Sequence, residues 1–162
     1  MISTPSLIIR EARPADLTTL LDFEQALISY ERPFAPNLKQ GKISYYDLSA
    51  YINDPSVRLV VAEIGAKLVG SGYALIRENK PYKVPQYYVY LGFMYVVPGF
   101  RGKGINGKIM SDLIDWGKAQ GYTEFQLEVY AENESAISAY TKAGLVPEIL
   151  TMRLDNTPPE NQ

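Results

Sequence analysis

Residues 94–108 read MYVVPGFRGKGINGK, and this stretch joins three kinds of local sequence. An apolar run stops at Pro98, a basic and glycine-rich loop follows over residues 101–108, and apolar residues then recur at helical spacing from Ile109. The pattern predicts a strand, a loop and a helix. Because a helix start presents free backbone N–H groups and the positive end of the helix dipole, the stretch also predicts a site for a phosphate-containing compound.

Composition narrows the chemistry that the chain can perform. The 162 residues are 46% apolar and 21% charged, which is typical of one globular domain with its own core. A net charge of −2 disfavours nucleic acid as a partner. The sequence has no cysteine and no histidine, which excludes disulfides, thiolate nucleophiles and Ser-His-Asp hydrolysis. Proton transfer must therefore use Glu, Asp, Tyr, Lys, a chain terminus or water.

The cellular setting that the sequence predicts is cytoplasmic. No apolar run reaches the roughly 18 residues of a transmembrane helix, and the first residues lack the basic and apolar regions of a secretory signal. We therefore expect no membrane partner. Because histidine and cysteine ligands are missing, we also expect no metal.

The periodic patterns predict one mixed α/β domain over residues 1–155 and a polar tail over residues 156–162, in the order β-α-α-β-β-β-α-β-α-β. Strands are predicted over residues 7–13, 57–64, 68–77, 86–97, 125–130 and 145–154. Helices are predicted over residues 17–28, 45–53, 109–120 and 133–142. Ser44 is the predicted N-cap of the second helix, and Gly121 is expected to end the third.

The glycine-rich loop fits three motifs. Gly102, Gly104 and Gly107 form the G-x-G-x-x-G of dinucleotide-binding folds, but too few residues follow Gly107 to complete such a fold. The same loop also contains most of a P-loop, ending in Gly107-Lys108. That motif fails because Ile109 stands where a hydroxyl must bind Mg²⁺. The third interpretation is a family motif, and it covers more of the chain.

Two separate blocks of sequence resemble the GNAT family, the Gcn5-related N-acetyltransferases. The first family pattern is V-x-P-x-x-[QR]-x-x-G-x-[GA], matched here by Val96, Pro98, Arg101 and Gly104. The second is L-x-V, N-x-x-A and Y-x-x-x-G, matched by Leu127, Val129, Asn133, Ala136, Tyr140 and Gly144. The chain departs from the first pattern at Asn106, where glycine or alanine is usual. If this position takes a positive φ, asparagine tolerates it better than most residues.

The resemblance implies an α/β (α+β) fold with a mixed, mostly antiparallel central sheet, a splayed pair of parallel strands, and helices on both faces. It also implies acetyl-CoA as cosubstrate and an amine as acceptor, and homodimers are common in the family. In the family, the loop amides hold the CoA pyrophosphate and the preceding strand pairs with the pantetheine arm. The residues that would bind the cosubstrate here are Met94, Tyr95, Val96, Arg101, Gly102, Lys103, Gly104, Ile105, Asn106 and Asn133.

The implied reaction is direct attack of a primary amine on the thioester. Tyr140 matches the family tyrosine that protonates or hydrogen-bonds the CoA sulfur, and a phenol with a pKa near 10 is a fitting acid for a thiolate. Asn133 can equally be an ordinary helix N-cap. For the base, Glu128 matches a glutamate of the branch that acetylates protein N-termini, although a solvent-facing strand residue is the alternative. Many relatives carry an acidic residue at the positions of Gly92 and Phe93, so a water chain lined by tyrosines also stays open.

Acceptor recognition in the family comes from the first two helices, their connection, and the loop before the long strand. Here those are residues 24–42 and 78–86, and thirteen tyrosines occur in the whole chain. The candidate acceptor residues are Glu24, Tyr30, Glu31, Arg32, Phe34, Tyr82, Tyr87 and Tyr88. A tyrosine-lined pocket with carboxylates suits a cationic amine. A GNAT-fold module that binds acyl-CoA without turnover is the alternative function, because Asn106 and the missing carboxylate at residues 92 and 93 depart from the family.

Overall fold

The fold is carried by one five-stranded sheet, in a computed structural model that describes residues 5–159. The strands are β1 (Leu7–Glu11), β2 (Val57–Ile64), β3 (Lys67–Glu78), β4 (Tyr87–Val96) and β5 (Phe125–Gln126). They lie side by side in sequence order. The first three pairs are antiparallel, and β4 pairs with β5 in parallel. The predicted mixed, mostly antiparallel sheet is confirmed.

Helices cover both faces of this sheet, as predicted. The helices are α1 (Leu17–Glu31), α2 (Leu48–Ile52), α3 (Ile105–Ala119) and α4 (Glu134–Lys142). Alternate residues of β2 divide between two apolar clusters: Val60 and Ala62 face the cluster that contains α3, whereas Leu59 and Val61 face α1 and α2. No helix within residues 5–159 is both long and apolar enough to cross a membrane.

A β-bulge interrupts β4. Ser71 pairs with Tyr95 and Tyr73 pairs with Gly92, so two residues of β4 lie opposite one residue of β3. Phe93, inside the bulge, has a φ of 56°, which is rare for a bulky residue. Its carbonyl accepts a 3.0 Å hydrogen bond from the buried Ser71 Oγ. This bond satisfies a carbonyl that the bulge removes from the regular ladder.

The bulge reverses which residues of β4 point to each face of the sheet. Before it, Val89 and Leu91 belong to the α3 cluster. After it, Phe93 and Tyr95 belong to the cluster under α1 and α2, although all four positions are odd-numbered. One inserted residue inverts the alternation because side chains of a strand point to opposite faces with a period of two.

The parallel pair separates soon after it starts. β4 and β5 are paired only at Val89 with Phe125 and Tyr90 with Gln126, while β4 continues to Val96. Beyond Tyr90, the edge of β4 that faces β5 therefore has no ladder partner within residues 5–159. This gap is the splayed parallel pair that the family resemblance implied.

The second helix starts later than predicted. α2 begins at Leu48, and its N-cap is Asp47, whose Oδ1 accepts a 3.3 Å hydrogen bond from Ala50 N. The prediction of Ser44 as the cap was therefore wrong. The two backbone amides that follow Ser44 donate instead to the carboxylate of Glu24, which holds this part of the chain out of a helix.

The C-terminal part departs most from the prediction. β5 ends at Gln126 rather than at residue 130, and the strand predicted over residues 145–154 is not formed. Residues 143–159 contain no helix or strand, and all of them are exposed except the half-buried Leu145. A strand requires a neighbour, and this segment pairs with no strand within the described part of its own chain.

Candidate active site

The glycine-rich loop enters its helix four residues earlier than predicted. α3 begins at Ile105, with Gly104 as its N-cap at a φ of 80°. Gly102 also has a positive φ, of 78°. Asn106 is consequently the second helical residue and needs no left-handed backbone, so its departure from the family pattern causes no strain there. The two positions that require left-handed backbone are both glycine, which adopts it without steric cost.

Backbone donors gather at this helix start. The first bond of the α3 ladder is donated by Lys108 N to Gly104 O, at 3.2 Å. The amides of Ile105, Asn106 and Gly107 therefore precede the ladder, as the first amides of every helix do. Gly104 supplies no side chain to cap them. A row of free N–H groups at the positive end of a 15-residue helix is suited to an anion.

The basic side chains of the loop are partly fixed by the protein. Arg101 Nε donates a 2.9 Å hydrogen bond to Val96 O at the end of β4. Its guanidinium lies 5.5 Å from the Tyr30 ring centroid and 5.8 Å from that of Tyr95. Lys103 Nζ lies 5.4 Å from a ring centroid as well, that of Phe100. Positive charge is thus held at the junction between the free edge of β4 and the helix start.

The predicted pantetheine-binding residues lie on the splayed part of β4. Met94 and Val96 are half-buried and pack against the α3 cluster, whereas Tyr95 is buried on the opposite face. Their backbone edge toward β5 has no strand beside it within residues 5–159. The side chains of residues 94–96 therefore pack inside the protein, and their backbone N–H and C=O groups are available to pair with a ligand.

Tyr73 fills the space beside Gly92, where the family resemblance implies a carboxylate. A Cβ built on Gly92 would lie 1.8 Å from Tyr73 Cε1 and 2.6 Å from its hydroxyl oxygen. Tyr73 is only 3% exposed. Aromatic rings surround it, with centroid distances of 5.2 Å to Tyr46, 5.6 Å to Tyr51 and 6.4 Å to Tyr90. The missing carboxylate is thus replaced by a packed phenol, which explains why residue 92 is glycine.

Tyr140 lies on α4 and packs against the α3 cluster together with Met94, Val96 and Leu127. Burial raises the pKa of Tyr140 to about 12, and the charge of Glu31 and the nearby Tyr90 add to the effect. The phenol is therefore fully protonated at neutral pH. A protonated phenol can donate a hydrogen bond or a proton to a leaving group.

Asn133 is the N-cap of α4. Its Oδ1 accepts hydrogen bonds of 3.4 Å from Ala136 N and from Ser135 Oγ, and the residue is 7% exposed. The N-cap interpretation is confirmed. The predicted contact of Asn133 with CoA stays a prediction.

Glu31, the last residue of α1, lies among tyrosines. Burial raises the pKa of its carboxyl group, and a hydrogen-bond interaction with Tyr45 partly opposes the increase. The charge of Glu31 contributes, after burial, to the raised pKa values of Tyr45, Tyr130 and Tyr140. A carboxylate at the negative end of a helix dipole is itself unfavourable, so its position is not explained by the stability of α1.

The Tyr45 hydroxyl is a buried polar atom for which residues 5–159 provide no well-formed hydrogen bond. It lies near enough to Glu31 for each group to affect the pKa of the other. Buried polar atoms in native proteins are nearly always satisfied, so an unsatisfied hydroxyl requires an explanation. Here it adjoins the half-buried carboxylate of Glu31, and a bound donor group could interact with both.

Glu24 holds Tyr45 and Tyr46 in place. Its carboxylate is 1% exposed, and Oε2 accepts hydrogen bonds from the backbone N of Tyr45 at 2.9 Å and of Tyr46 at 2.8 Å. These bonds use the carboxylate within the protein. Glu24, named from the sequence as a candidate acceptor residue, is therefore a structural anchor for the tyrosines that surround Glu31.

Glu128 is exposed, which is the alternative that the sequence left open. Its charge nevertheless contributes to the raised pKa values of Tyr73, Tyr90 and Tyr130, after the larger effect of burial. Glu128 thus lies at the edge of the same group of tyrosines as Glu31. Its predicted role as base is not decided by this geometry.

The sequence singled out Glu31 but missed the tyrosines that enclose it. Tyr45, Tyr46 and Tyr130, whose pKa values the charge of Glu31 helps to raise, lie far apart from Glu31 in the sequence, and only the fold brings them together. Two tyrosines that the sequence did single out, Tyr82 and Tyr87, are 77% and 43% exposed. Within residues 5–159, no cluster of three acidic side chains is placed to hold a metal ion.

Solved structures share this architecture. The tetramutant of the BH1408 protein from Bacillus halodurans aligns with a TM-score of 0.80 at 22% identity, over 91% of this chain and 99% of that one. A predicted acetyltransferase from Clostridium acetobutylicum, solved with acetyl-CoA, aligns with a TM-score of 0.72 at 16% identity, over 93% and 96% of the two chains. These likenesses establish the fold as that of the GNAT acetyltransferases.

Sequence comparison then establishes the family. The family model described as "Acetyltransferase (GNAT) family" matches residues 23–145. Over 150 residues, the chain is 31% identical to the thialysine N-epsilon-acetyltransferase of Sus scrofa, covering 86% of this chain and 84% of that protein. The chain belongs to the GNAT acetyltransferase family, as the two sequence blocks implied.

Proposed function

We propose that the protein is an acetyl-CoA-dependent N-acetyltransferase that transfers the acetyl group to a primary amine of a small molecule or peptide. The observation that carries the proposal is the cluster in which the charge of the half-buried Glu31 carboxylate raises the pKa values of Tyr45 and Tyr140. A carboxylate and phenol oxygens attract an ammonium group, and Tyr140 supplies the acid that the leaving group needs.

The cosubstrate would bind where the free backbone N–H groups of the α3 start lie beside the basic side chains of the loop. The amides at the start of α3, together with Arg101 and Lys103, suit the pyrophosphate of acetyl-CoA. The free edge of β4 at residues 94–96 suits the amide groups of the pantetheine arm, which can pair with it like a neighbouring strand. Bound there, acetyl-CoA would supply the activated acetyl group, and the gap between β4 and β5 gives it access to Tyr140.

The nitrogen of the acceptor must lose two protons during the acetyl transfer. The acceptor must first lose the proton of its ammonium group, so that the nitrogen lone pair can attack the thioester carbonyl carbon. The new C–N bond forms as the C–S bond breaks, and the thiolate takes a proton from Tyr140. The second proton of the nitrogen passes, through water, to the Tyr140 phenolate and restores the acid. Because burial raises the pKa of Tyr140 to about 12, above that of a thiol, the phenol stays protonated until the thiolate forms and then donates a hydrogen bond or a proton to it.

Two carboxylates can accept the acceptor's proton. Glu128 is the candidate from the family resemblance, but it is exposed. Glu31 has a pKa raised by burial, and Tyr140 responds to its charge. A raised pKa brings a carboxylate closer to the operating pH, where a general base is most effective. These features support Glu31 as the group that holds the ammonium and receives its proton, with Glu128 nearer to solvent.

The acceptor that fits best is an amine at the end of a flexible aliphatic chain. The curated relative is named for the N-epsilon amine of thialysine, which is such a group. In this chain, Gly92 and Phe93 stand where the family resemblance implies an acidic residue, and Tyr73 fills the space beside Gly92. A second carboxylate for a second ammonium group is missing at that point, so the acceptor site favours one terminal ammonium over a polyamine.

A steady-state assay of CoA release tests the proposal. We expect turnover with lysine-like amines, and a large loss of kcat in Tyr140→Phe while the affinity for acetyl-CoA changes little. Tyr122→Phe is a matched control, because Tyr122 packs elsewhere against the α3 cluster. Acetyl-CoA binding without turnover on any amine would favour the non-catalytic module, and unchanged kcat in Tyr140→Phe would remove this residue from the acid role.

Substituting Glu31 and Glu128 one at a time shows which of the two carboxylates is the general base. If Glu31 is the base, Glu31→Gln abolishes the acidic limb of the kcat/KM profile and Glu128→Gln leaves it in place. The reverse result would assign the base to Glu128. An acidic limb that survives both substitutions would favour transfer through water.

A further inference from the structure

Arg77 is an exposed residue near the end of β3, and its guanidinium lies over an aromatic ring. The distance from Arg77 Cζ to the ring centroid of Tyr90 is 3.6 Å, which is that of a stacked pair. Arg58, on the neighbouring strand, is paired with Asp112, whereas the Arg77 guanidinium forms no salt bridge and no hydrogen bond within residues 5–159. A stacked guanidinium keeps the N–H donors along its edge available, so Arg77 can bind a carboxylate through two hydrogen bonds.

The ring beneath Arg77 lies where the two parallel strands separate. Tyr90 pairs with Gln126 at the end of the β4–β5 ladder, and the gap between the strands opens beyond it. Tyr90 also pairs with Leu75, two residues before Arg77 in β3, so Arg77 and Tyr90 are diagonal neighbours on one face of the sheet. That face is the one that α1 and α2 cover, because Leu75 and Tyr90 pack against the cluster under these helices. Arg77 therefore places positive charge beside the start of the gap.

A row of tyrosines connects Arg77 with the carboxylate of Glu31. The ring centroids of successive members lie between 5.2 and 6.4 Å apart, and the members of this tyrosine row are Tyr90, Tyr73, Tyr46 and Tyr45. At its far end, burial raises the pKa of Tyr45, and the charge of the adjoining Glu31 adds to the effect. The tyrosine row thus has a guanidinium at one end and a carboxylate at the other.

The proposed acid Tyr140 lies near both ends of the tyrosine row. After burial, the charge of Glu31 and the nearby Tyr90 each help to raise its pKa. Glu128 lies near the Arg77 end, because burial and the charge of Glu128 raise the pKa of Tyr90 whereas Arg77 lowers it. Within the described part of the chain, Glu128 forms no ion pair with Arg77. The edge of the guanidinium therefore stays open to a ligand that extends along the row.

We propose that Arg77 is a specificity-determining residue that binds a carboxylate at the far end of the acceptor, so that the preferred acceptor is a small ω-amino acid. This inference rests on the proposed acetyl transfer, which places the ammonium group of the acceptor at Glu31. A molecule with an ammonium group at one end and a carboxylate at the other complements the two ends of the tyrosine row. A carboxylate accepts two hydrogen bonds from a guanidinium, a neutral amide accepts them less well, and a second ammonium group accepts none.

Two acceptors that differ only in the carboxylate test this role. ε-Aminocaproate and ε-aminocaproamide have the same length and the same terminal amine. In the unmodified protein, we expect KM to be about tenfold lower for the carboxylate, with similar kcat, because one charge-assisted contact is added. Arg77→Met keeps an unbranched stem without the charge, so it is expected to raise the KM of ε-aminocaproate alone. Equal KM values in the unmodified protein, or a difference that persists in Arg77→Met, would overturn the proposal.

Reversing the charge gives a readout that a merely structural arginine would not produce. Cadaverine has an ammonium group where ε-aminocaproate has its carboxylate, so Arg77→Glu is expected to lower the KM of cadaverine and raise that of ε-aminocaproate. Arg13→Met is the matched control, because Arg13 is also exposed but follows β1, at the opposite edge of the sheet from β5. It is expected to leave every KM unchanged. An unchanged order of preference in Arg77→Glu would overturn the proposal.

Binding measurements separate this inference from the proposed acetyl transfer. Each acceptor is titrated calorimetrically into the protein saturated with CoA, which carries no acetyl group to transfer. Tighter binding of ε-aminocaproate that is lost in Arg77→Met would support the carboxylate contact even if no acceptor were turned over, and only the acetyl transfer would then fail. Turnover of both acceptors with equal affinities would overturn the contact and leave the transfer intact. Absence of binding by both acceptors would also overturn the contact.

Discussion

Replacing Gly92 by alanine tests whether the phenol of Tyr73 fills the space beside residue 92. The new methyl group would lie 1.8 Å from Tyr73 Cε1 and 2.5 Å from Cζ, far inside van der Waals contact. Tyr73 is 3% exposed and its ring has aromatic neighbours at 5.2 and 5.6 Å, so it has no free direction in which to move. The backbone φ of Gly92 is not in the left-handed region, so the effect is one of space alone.

Overpacking of this kind costs about 3 kcal/mol when neighbours cannot yield, at the upper end of the usual range. For a chain of this length, that corresponds to a melting temperature lowered by about 6–12 °C. Differential scanning calorimetry of the unliganded protein measures the change. Gly107→Ala is the control, because nothing lies within 4 Å of its added Cβ. That substitution is expected to stabilise the helix by up to about 1 kcal/mol.

A double-mutant cycle makes this prediction specific. In the background of Tyr73→Ala, which is destabilising by itself, Gly92→Ala is expected to add almost no further loss, because the clashing ring is gone. If Gly92→Ala leaves the melting temperature of the otherwise unmodified chain unchanged, the reasoning about Tyr73 is refuted. The same follows if its cost is equal in both backgrounds.

Three further predictions concern the site. Glu31→Gln is expected to raise the melting temperature at pH 7 and to lower kcat/KM. Burial raises the pKa of Glu31 in the folded chain. The carboxyl group therefore stabilises the fold fully below about pH 4.3, and this contribution is lost as the pH rises through the pKa of the folded state. Equal thermal unfolding curves at pH 7 would contradict this. Gly104→Ala, at a φ of 80°, is expected to cost about 1–2 kcal/mol and to weaken acetyl-CoA binding in calorimetry, whereas Gly107→Ala lacks the backbone cost. Tyr140 ionises near pH 10 in the unfolded chain but only near pH 12 in the folded chain, so the free energy of unfolding is expected to fall between these two values. In alkaline denaturation, Tyr140→Phe is expected to show a smaller fall.

Local periodicity predicted most of the strands and helices and the loop, because each depends on residues close in the chain, whereas the family resemblance implied the mixed sheet and the helices on both faces. Strand β2 was predicted with its observed bounds, Val57–Ile64. The bulge at Phe93 was not predicted, since its support is a hydrogen bond from Ser71 on the neighbouring strand. The start of α2 was wrong for the same reason: Ser44 is a good cap by type, but Glu24 binds the amides that follow it.

In the candidate site, too, the sequence predicted the features that depend on nearby residues and missed those that depend on distant ones. Motif spacing singled out Tyr140 and the residues around Gly104, and the family match supports the alignment that carries them. The tyrosines around Glu31 come from distant segments, and no local pattern connects them. The structure extends α1 to Glu31, three residues beyond the predicted end of that helix, and so places a carboxylate at the negative end of the helix dipole. A residue that is unfavourable for its own helix is a candidate for function.

Transfer of label from acetyl-CoA tests the central claim most directly. The protein is mixed with acetyl-CoA labelled in the acetyl group and with a lysine-like primary amine, and the label is followed in a single turnover. Direct attack predicts that the label appears on the amine nitrogen in the same amount as free CoA thiol, with none bound to the protein. Label that stays on acetyl-CoA although the protein is saturated would contradict the account, and so would label that passes through a protein-bound acetyl group.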